Sequence, residues 1–495
     1  MRASGVLLPI SSLPSNYGIG TFSKEAYKFV DQLQEAGQTY WQILPVGPTG
    51  YGDSPYQSFS TFAGNPYYID LEALIEEGLL TKEECDACDF GDNENYINYE
   101  KIYFARFDIL RKAYERSNIK ENQDFVDFIE KNAYWLDDYA LYMAVKNKFE
   151  GKAWIEWDTD IRNRETKAMK VYREELADEI TFYQFQQYTF AKQWLKLKDY
   201  ANEKGIKIIG DIPIYVAFDG ADSWSNPKLF QFDEEGMPVA VAGCPPDAFS
   251  ETGQLWGNPL YDWEYHKKTG YKWWLQRVAY CFELYDVVRI DHFRGFDEYY
   301  SIPYGDETAV NGKWMPGPGY DLFKKLNTKL GDLDIIAEDL GFLTDTVLEL
   351  LQQTGYPGMK ILQFAFDSRE ESDYLPHNYT DNSIVYTGTH DNDTVRGWYE
   401  VVPECDKEFA KKYMNNAATP EEEIHWDFIR LAMASVSKTC IIPLQDYLGL
   451  GAEARINVPS TLGTNWQWRM GKEDFTDEII EKVKDMTKLY GRLAK

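Results

Sequence analysis

Asp211, Asp291, Glu338, Asp367 and Asp391 each stand at or just beyond the end of a short apolar run, and two of the five histidines, His292 and His390, adjoin members of this set. In 285–296, YDVVRIDHFRGF, Arg289 precedes Asp291 by two residues. On a strand that spacing turns both side chains the same way. A cation beside a carboxylate lowers its pKa and keeps it ionised, as a nucleophile requires. The alternative reading is an ion pair that caps a strand. Glu338 follows Ile335, Ile336 and Ala337, and its longer arm suits a proton donor whose pKa is raised by burial and by like charge. A retaining glycosyl transfer needs such a pair, one ionised and one protonated, about 5–5.5 Å apart. Asp391 would hold sugar hydroxyls and favour an oxocarbenium-like transition state. A ring of acids could also bind a divalent metal, but few imidazoles are placed to help, so no metal is expected.

These groups need a frame that brings distant strand ends together. Eight short apolar runs supply it: 5–10, 40–46, 206–212, 286–291, 334–338, 359–366, 383–387 and 439–444. Helix-periodic stretches alternate with them. Residues 24–36 carry apolar positions at Ala26, Phe29, Val30, Leu33 and Ala36 and stop at Gly37, 182–204 stop at Gly205, and 344–354 lie between the fifth and sixth runs. Eightfold alternation predicts an α/β fold, a (β/α)8 TIM barrel whose working groups sit at the carboxyl ends of the strands. No glycine-rich dinucleotide fingerprint follows the first run, which disfavours an open doubly wound sheet. The connections 47–205 and 213–280 are too long for barrel loops. They read as large, mostly helical insertions after strands 2 and 3, within one catalytic domain spanning 1–495. Only about fifty residues follow the last run, ending in a helical tail, 477–494, so no carboxyl-terminal β-domain is expected.

Composition narrows the substrate. A net charge of −30 disfavours nucleic acid and anionic membranes as partners, whereas a neutral substrate would be indifferent to it. The 36 Tyr, 27 Phe and 15 Trp offer flat rings that could stack on sugars. Six scattered cysteines suit a reducing compartment, and the lone Cys85–Cys88 spacing lacks the partners of a zinc site. The apolar segment near the start is too short for a signal peptide and no run approaches a membrane span, so a cytoplasmic protein is expected.

The wording of the key segments is familiar. RIDHFRGF, IIAEDLG and TGTHDNDT resemble the segments that carry nucleophile, acid/base and transition-state stabiliser in the α-amylase clan. The chain is most similar there to the 4-α-glucanotransferases of glycoside hydrolase family 77, called amylomaltases or disproportionating enzymes. The likeness extends through GVLLPISSLPSNYGIG at 5–20, WQILPVGPTGYGDSPYQS at 41–58, IIGDIPIYVA at 208–217, PPDAFSETGQLWGNPLYDW at 245–263, GMKILQFAF at 358–366 and PLQDYLGLGAEARINVP at 443–459. The resemblance implies Asp291 as nucleophile, Glu338 as acid/base and Asp391 as stabiliser, in agreement with the reading from the residues. It places Arg289, His390, Asp211 and Tyr56 against the donor glucose. Asp367, Trp256, Asn258, Tyr51 and Asn465 complete the candidate sugar contacts, with Tyr261 as a further aromatic platform, and 245–263 would form a loop over the cleft. After Asp211 the chain reads IPIYVA, without the Asn-His pair of classical α-amylases, so neither a structural calcium nor any cofactor is expected. The implied reaction moves α-1,4-glucan segments between maltooligosaccharides, glucose, starch or glycogen through a covalent glucosyl-aspartate. An α-1,4-glucan hydrolase on the same barrel and a non-catalytic glucan-binding protein are the alternatives.

Overall fold

The computed structural model describes residues 2–246, 250–341, 343–416 and 418–493. Eight parallel strands, Ala3–Leu7, Tyr40–Gln42, Lys207–Pro213, Val287–Asp291, Ile335–Ala337, Gly358–Ile361, Ser383–Tyr386 and Thr439–Pro443, form the central sheet. Every strand lies beside its successor in the chain, and the eighth lies beside the first. Between the fifth and sixth strands the Ala337 amide donates to the Pro357 carbonyl at 3.0 Å, so the sheet closes into the expected (β/α)8 barrel. Each of the eight apolar runs supplies one barrel strand. The regular part is shorter than the run in most cases: the second strand ends at Gln42, and the sixth gives way at Leu362 to a short 3-10 turn.

In the barrel interior Leu7, Ile209, Val287, Ile336, Ile384 and Ile441 pack on one another. Two residues further along strands 3 and 4, the same inward-facing rows present Asp211 and Arg289, which are register partners. The fold thus sets charge directly on top of a hydrocarbon floor. On strand 3 the intervening Gly210 faces outward, where an added Cβ would lie 2.2–2.5 Å from ring atoms of Tyr285. Tyr285 is buried and packs edge-on against Trp194, so its ring has little room to retreat. Gly210→Ala is expected to cost about 1–3 kcal/mol by overpacking. An unchanged denaturation midpoint in urea would show that the ring gives way freely.

The 47–205 connection is helical, built on Tyr99–Arg116, Gln123–Lys148 and Ala177–Glu203. Much of the aromatic content is spent here on packing: Trp157 alone contacts the rings of Tyr142, Phe149 and Trp224. The 213–280 connection is also more helical than extended, through Ala221–Ser225, Trp263–Lys268 and most of Lys272–Leu284. It carries two strands, Ala240–Cys244 and Gln254–Pro259, which join Glu298–Pro303 and Lys313–Pro316 from the connection after strand 4 in an antiparallel sheet. The strand bearing Trp256 and Asn258 is an edge of that sheet. Among the described residues, no helix is long and apolar enough to cross a membrane.

Candidate active site

At the carboxyl ends of strands 3 and 4, Arg289 Nη1 donates to both oxygens of Asp211 at 2.8 and 2.6 Å, and its Nη2 donates to Asp291 Oδ1 at 3.1 Å. The alternating side-chain rule explains the second contact, and the strand register explains the first. Asp211 is fully buried and the Arg289 side chain nearly so, while 31% of the Asp291 side chain stays open to the cleft. Burial alone would lower the Arg289 pKa, but Asp211 and then Asp291 override it and hold the guanidinium firmly charged.

Glu338 stands beside this cluster at the end of strand 5. Its Oε2 accepts from the His292 amide at 2.7 Å and its Oε1 from the Leu340 amide at 2.9 Å. Burial raises the pKa of Glu338 and of Asp291; Arg289 opposes it in both, and the Glu338 charge pushes Asp291 further up. Two carboxyls that interact this way titrate as a pair, and like charge at close quarters favours a single proton shared between them. Their surroundings differ in kind. Asp291 touches a full positive charge, whereas Glu338 accepts, among the described residues, from neutral amides.

The seventh strand delivers His390 and Asp391 from the opposite side. His390 Nε2 lies 3.3 Å from Asp391 Oδ1. The Tyr56 ring stacks on His390 with centroids 5.0 Å apart, and its hydroxyl donates to Asp211 Oδ2 at 2.8 Å. Burial lowers the His390 pKa against the pull of Asp391, and burial raises that of Tyr56. Both rings are therefore neutral near pH 7 and serve as hydrogen-bonding surfaces, without charge.

Three further contributors were not singled out from the sequence. Asn457 Nδ2 donates to Asp391 Oδ1 at 2.6 Å, Arg455 Nη2 donates to the Asp391 carbonyl at 2.8 Å, and Trp466 lies about 6 Å from both Tyr56 and His390. All three follow the eighth strand, within or just beyond the stretch GAEARINVP. Asp446 acts one layer below. It is almost fully buried, accepts from Thr387 Oγ1 at 2.6 Å and from the Val395 amide at 2.7 Å, and so ties together both ends of the loop that carries His390 and Asp391. Its place three residues after a run of Thr-Cys-Ile-Ile-Pro was the available signal.

The remaining candidates stand outside that hydrogen-bonded cluster among the described residues. Asp367 lies beyond the 3-10 turn after strand 6, bonded to Arg369 Nε and Nη2. That bond holds its carboxyl at about 2. Asn465 is turned into its own loop, bonded to the Val458 amide and to Thr461. Asn258 donates to the Val216 carbonyl and accepts from Gln57. Tyr261 is buried in an aromatic stack with its hydroxyl on the Ile214 carbonyl, which removes it as a platform. Tyr51 is 99% exposed on the rim. Trp256 meets the His292 ring edge-on, with centroids 4.8 Å apart, and so comes from the antiparallel sheet to the end of strand 4. Of the 245–263 loop, 247–249 lie outside the described residues.

Comparison with known proteins matches the chain along nearly its whole length. Residues 8–474 match the glycoside hydrolase 77 family model, described as 4-alpha-glucanotransferase. The 4-alpha-glucanotransferase of Clostridium butyricum is 54% identical over 98% of this chain and 99% of its own, and that of Thermus thermophilus is 45% identical over 99% of each. Among solved structures, the amylomaltase of Streptococcus agalactiae in complex with acarbose superposes with a TM-score of 0.96 at 45% identity, over 99% of this chain and 100% of that one. The amylomaltase of Corynebacterium glutamicum, at 20% identity and a TM-score of 0.77 over 100% of this chain and 75% of its own, shares the fold.

Proposed function

The chain belongs to the 4-alpha-glucanotransferases of glycoside hydrolase family 77, and from that premise we propose that it transfers α-1,4-glucan segments between maltooligosaccharides by a retaining, two-step mechanism. The observation that carries the reading is the contrast between neighbouring carboxyls: Asp291 is held by Arg289 at 3.1 Å, Glu338 by backbone amides. In the first step Asp291, ionised, attacks the anomeric carbon of the donor. The bond to the leaving O4 breaks, and Glu338 gives that oxygen its proton, leaving a glucanosyl ester on Asp291. In the second step Glu338, now a carboxylate, takes the proton from the 4-hydroxyl of an acceptor glucan or glucose. The freed oxygen attacks the same carbon, and Asp291 departs as carboxylate. Inversion twice restores the α-configuration.

Asp211, His390 and Tyr56 supply fixed neutral and anionic partners for the hydroxyls of the donor glucose, and Asp391, gripped by Asn457, faces the positive charge that develops at the ring. The ester must outlast encounters with water until a sugar arrives. Trp256, carried on a sheet edge and packed on His292, is suited to cover it. Starch, glycogen and free glucose fit the same chemistry as donors or acceptors.

Incubation with maltotriose tests this reading. The expected products are glucose together with maltooligosaccharides longer than the substrate, and acarbose should inhibit their formation. Products confined to glucose and maltose would assign a hydrolase instead. Unchanged maltotriose would assign a binding protein.

A further inference from the structure

His292 follows Asp291 in the chain, bonds to Glu338 through its amide, and has a backbone that few residues choose. Its φ and ψ are 54° and 50°, in the left-handed region. L-residues other than glycine avoid that region because Cβ crowds the following carbonyl, with asparagine and aspartate the mildest exceptions. The conformation has a visible consequence. The His292 amide donates to Glu338 Oε2 at 2.7 Å, and the next amide, Phe293, donates to the Glu338 carbonyl at 3.1 Å. A left-handed residue followed by a right-handed one turns successive N–H groups to the same side, as in a backbone nest, and here both are aimed at Glu338. The imidazole does not explain the strain. Its Nε2 is buried without a hydrogen-bond partner, and the ring packs against Trp256 and, more distantly, Tyr215.

We infer that His292 is a positioning residue whose left-handed backbone, rather than its imidazole, sets the orientation and acidity of Glu338. Strain held at such a position is tolerated where the surroundings over-determine it. Here the closed barrel fixes Asp291 on one side, and the 3-10 turn Phe293–Phe296 fixes the chain on the other. The amide bond to Oε2 favours the carboxylate form of Glu338, so it tunes the proton that the leaving oxygen receives. The inference rests on the reading of Glu338 as the acid/base.

Three variants separate backbone from side chain. His292→Gly removes the ring and accepts the left-handed conformation without steric cost; His292→Asn tolerates it; His292→Ile, β-branched, resists it. Transfer from maltotriose is measured for each across pH, with Glu338→Gln as the reference for a lost acid/base. Gly and Asn variants are expected to keep kcat within about fivefold of wild type and to keep the wild-type basic limb of kcat/KM. The Ile variant should lose at least about thirtyfold in kcat with little change in KM. Its basic limb should move to higher pH, because Glu338 without the amide bond holds its proton more tightly. A Gly variant as impaired as the Ile variant would overturn the inference in favour of the imidazole, and this arm decides even where the Ile variant does not fold. An Ile variant with wild-type kcat and pH profile would overturn it as well. If Glu338→Gln itself stays active, the acid/base assignment fails first, and that outcome is distinct from the other two.

Discussion

Asp291→Asn is expected to lower kcat for maltotriose by at least about 10⁴-fold while leaving the protein as stable as the wild type or more so. The loss of rate follows from the proposed ester, which an amide cannot form; Asp211, the other carboxylate on Arg289, is fully buried and not open to the cleft. The stability part is the more discriminating half. Burial in the cleft raises the Asp291 pKa above that of an unfolded chain, with the Glu338 charge adding to it. A carboxyl whose folded pKa is raised is penalised in its ionised form. The folded state therefore loses stability as pH rises out of the ordinary carboxylate range and through the raised value. Asparagine carries no such penalty, though it gives up the ion pair with Arg289. Thermal melts at about pH 5 and pH 8 should then show the variant gaining on the wild type at the higher pH. A variant that melts well below the wild type at pH 8 would mean that Asp291 is chiefly a structural partner of Arg289. Turnover near the wild-type rate would remove it as nucleophile.

The barrel was legible because a strand buried on both faces has to be written as a short apolar run, and because a titratable group at its end has few structural reasons to be there. Asp211, Asp291, Glu338 and the His390–Asp391 pair all lie where those rules put them, at the carboxyl ends of strands 3, 4, 5 and 7. Asp367 followed the same rule and the structure places it differently, because the sixth run breaks at Leu362 into a 3-10 turn. Apolar composition alone does not mark where extended backbone ends. The antiparallel sheet was hidden for another reason. AVAGC, QLWGNP, EYYSIP and KWMP are short, bounded by Gly or Pro, and paired across two separate connections, so no local periodicity announces them. Asn457 and Trp466 belong to neither class. Their role depends on the chain after strand 8 folding back over the barrel mouth, where Asn457 meets Asp391 across 66 positions of sequence. Spacing cannot reveal such a contact.

The largest effect on stability is expected at Arg289. This guanidinium serves two carboxylates at once: one fully buried, Asp211, and one open to the cleft, Asp291. Arg289→Met keeps the length and flexibility of the side chain but leaves Asp211 without its cation in the barrel interior. Breaking a buried pair from one side costs about 3–5 kcal/mol. Lysine is no conservative substitute, because one ammonium cannot reproduce two donors spread over a planar fork. The double variant Arg289→Met with Asp211→Asn removes both buried charges. It is expected to recover most of the stability in urea denaturation, since Tyr56 still has an oxygen to donate to. Activity should not return with it. Asp291 would have lost the one positive charge that lowers its pKa, so the nucleophile becomes harder to ionise and the acid limb of kcat/KM moves to higher pH. Stability restored with the acid limb displaced would separate the two tasks of Arg289: the buried one neutralises Asp211, and the catalytic one keeps Asp291 charged beside Glu338. If the double variant instead regains both stability and the wild-type pH profile, Asp291 does not depend on Arg289 for its charge, and the assignment of the ionised member of the pair would have to rest on Asp391 and the substrate.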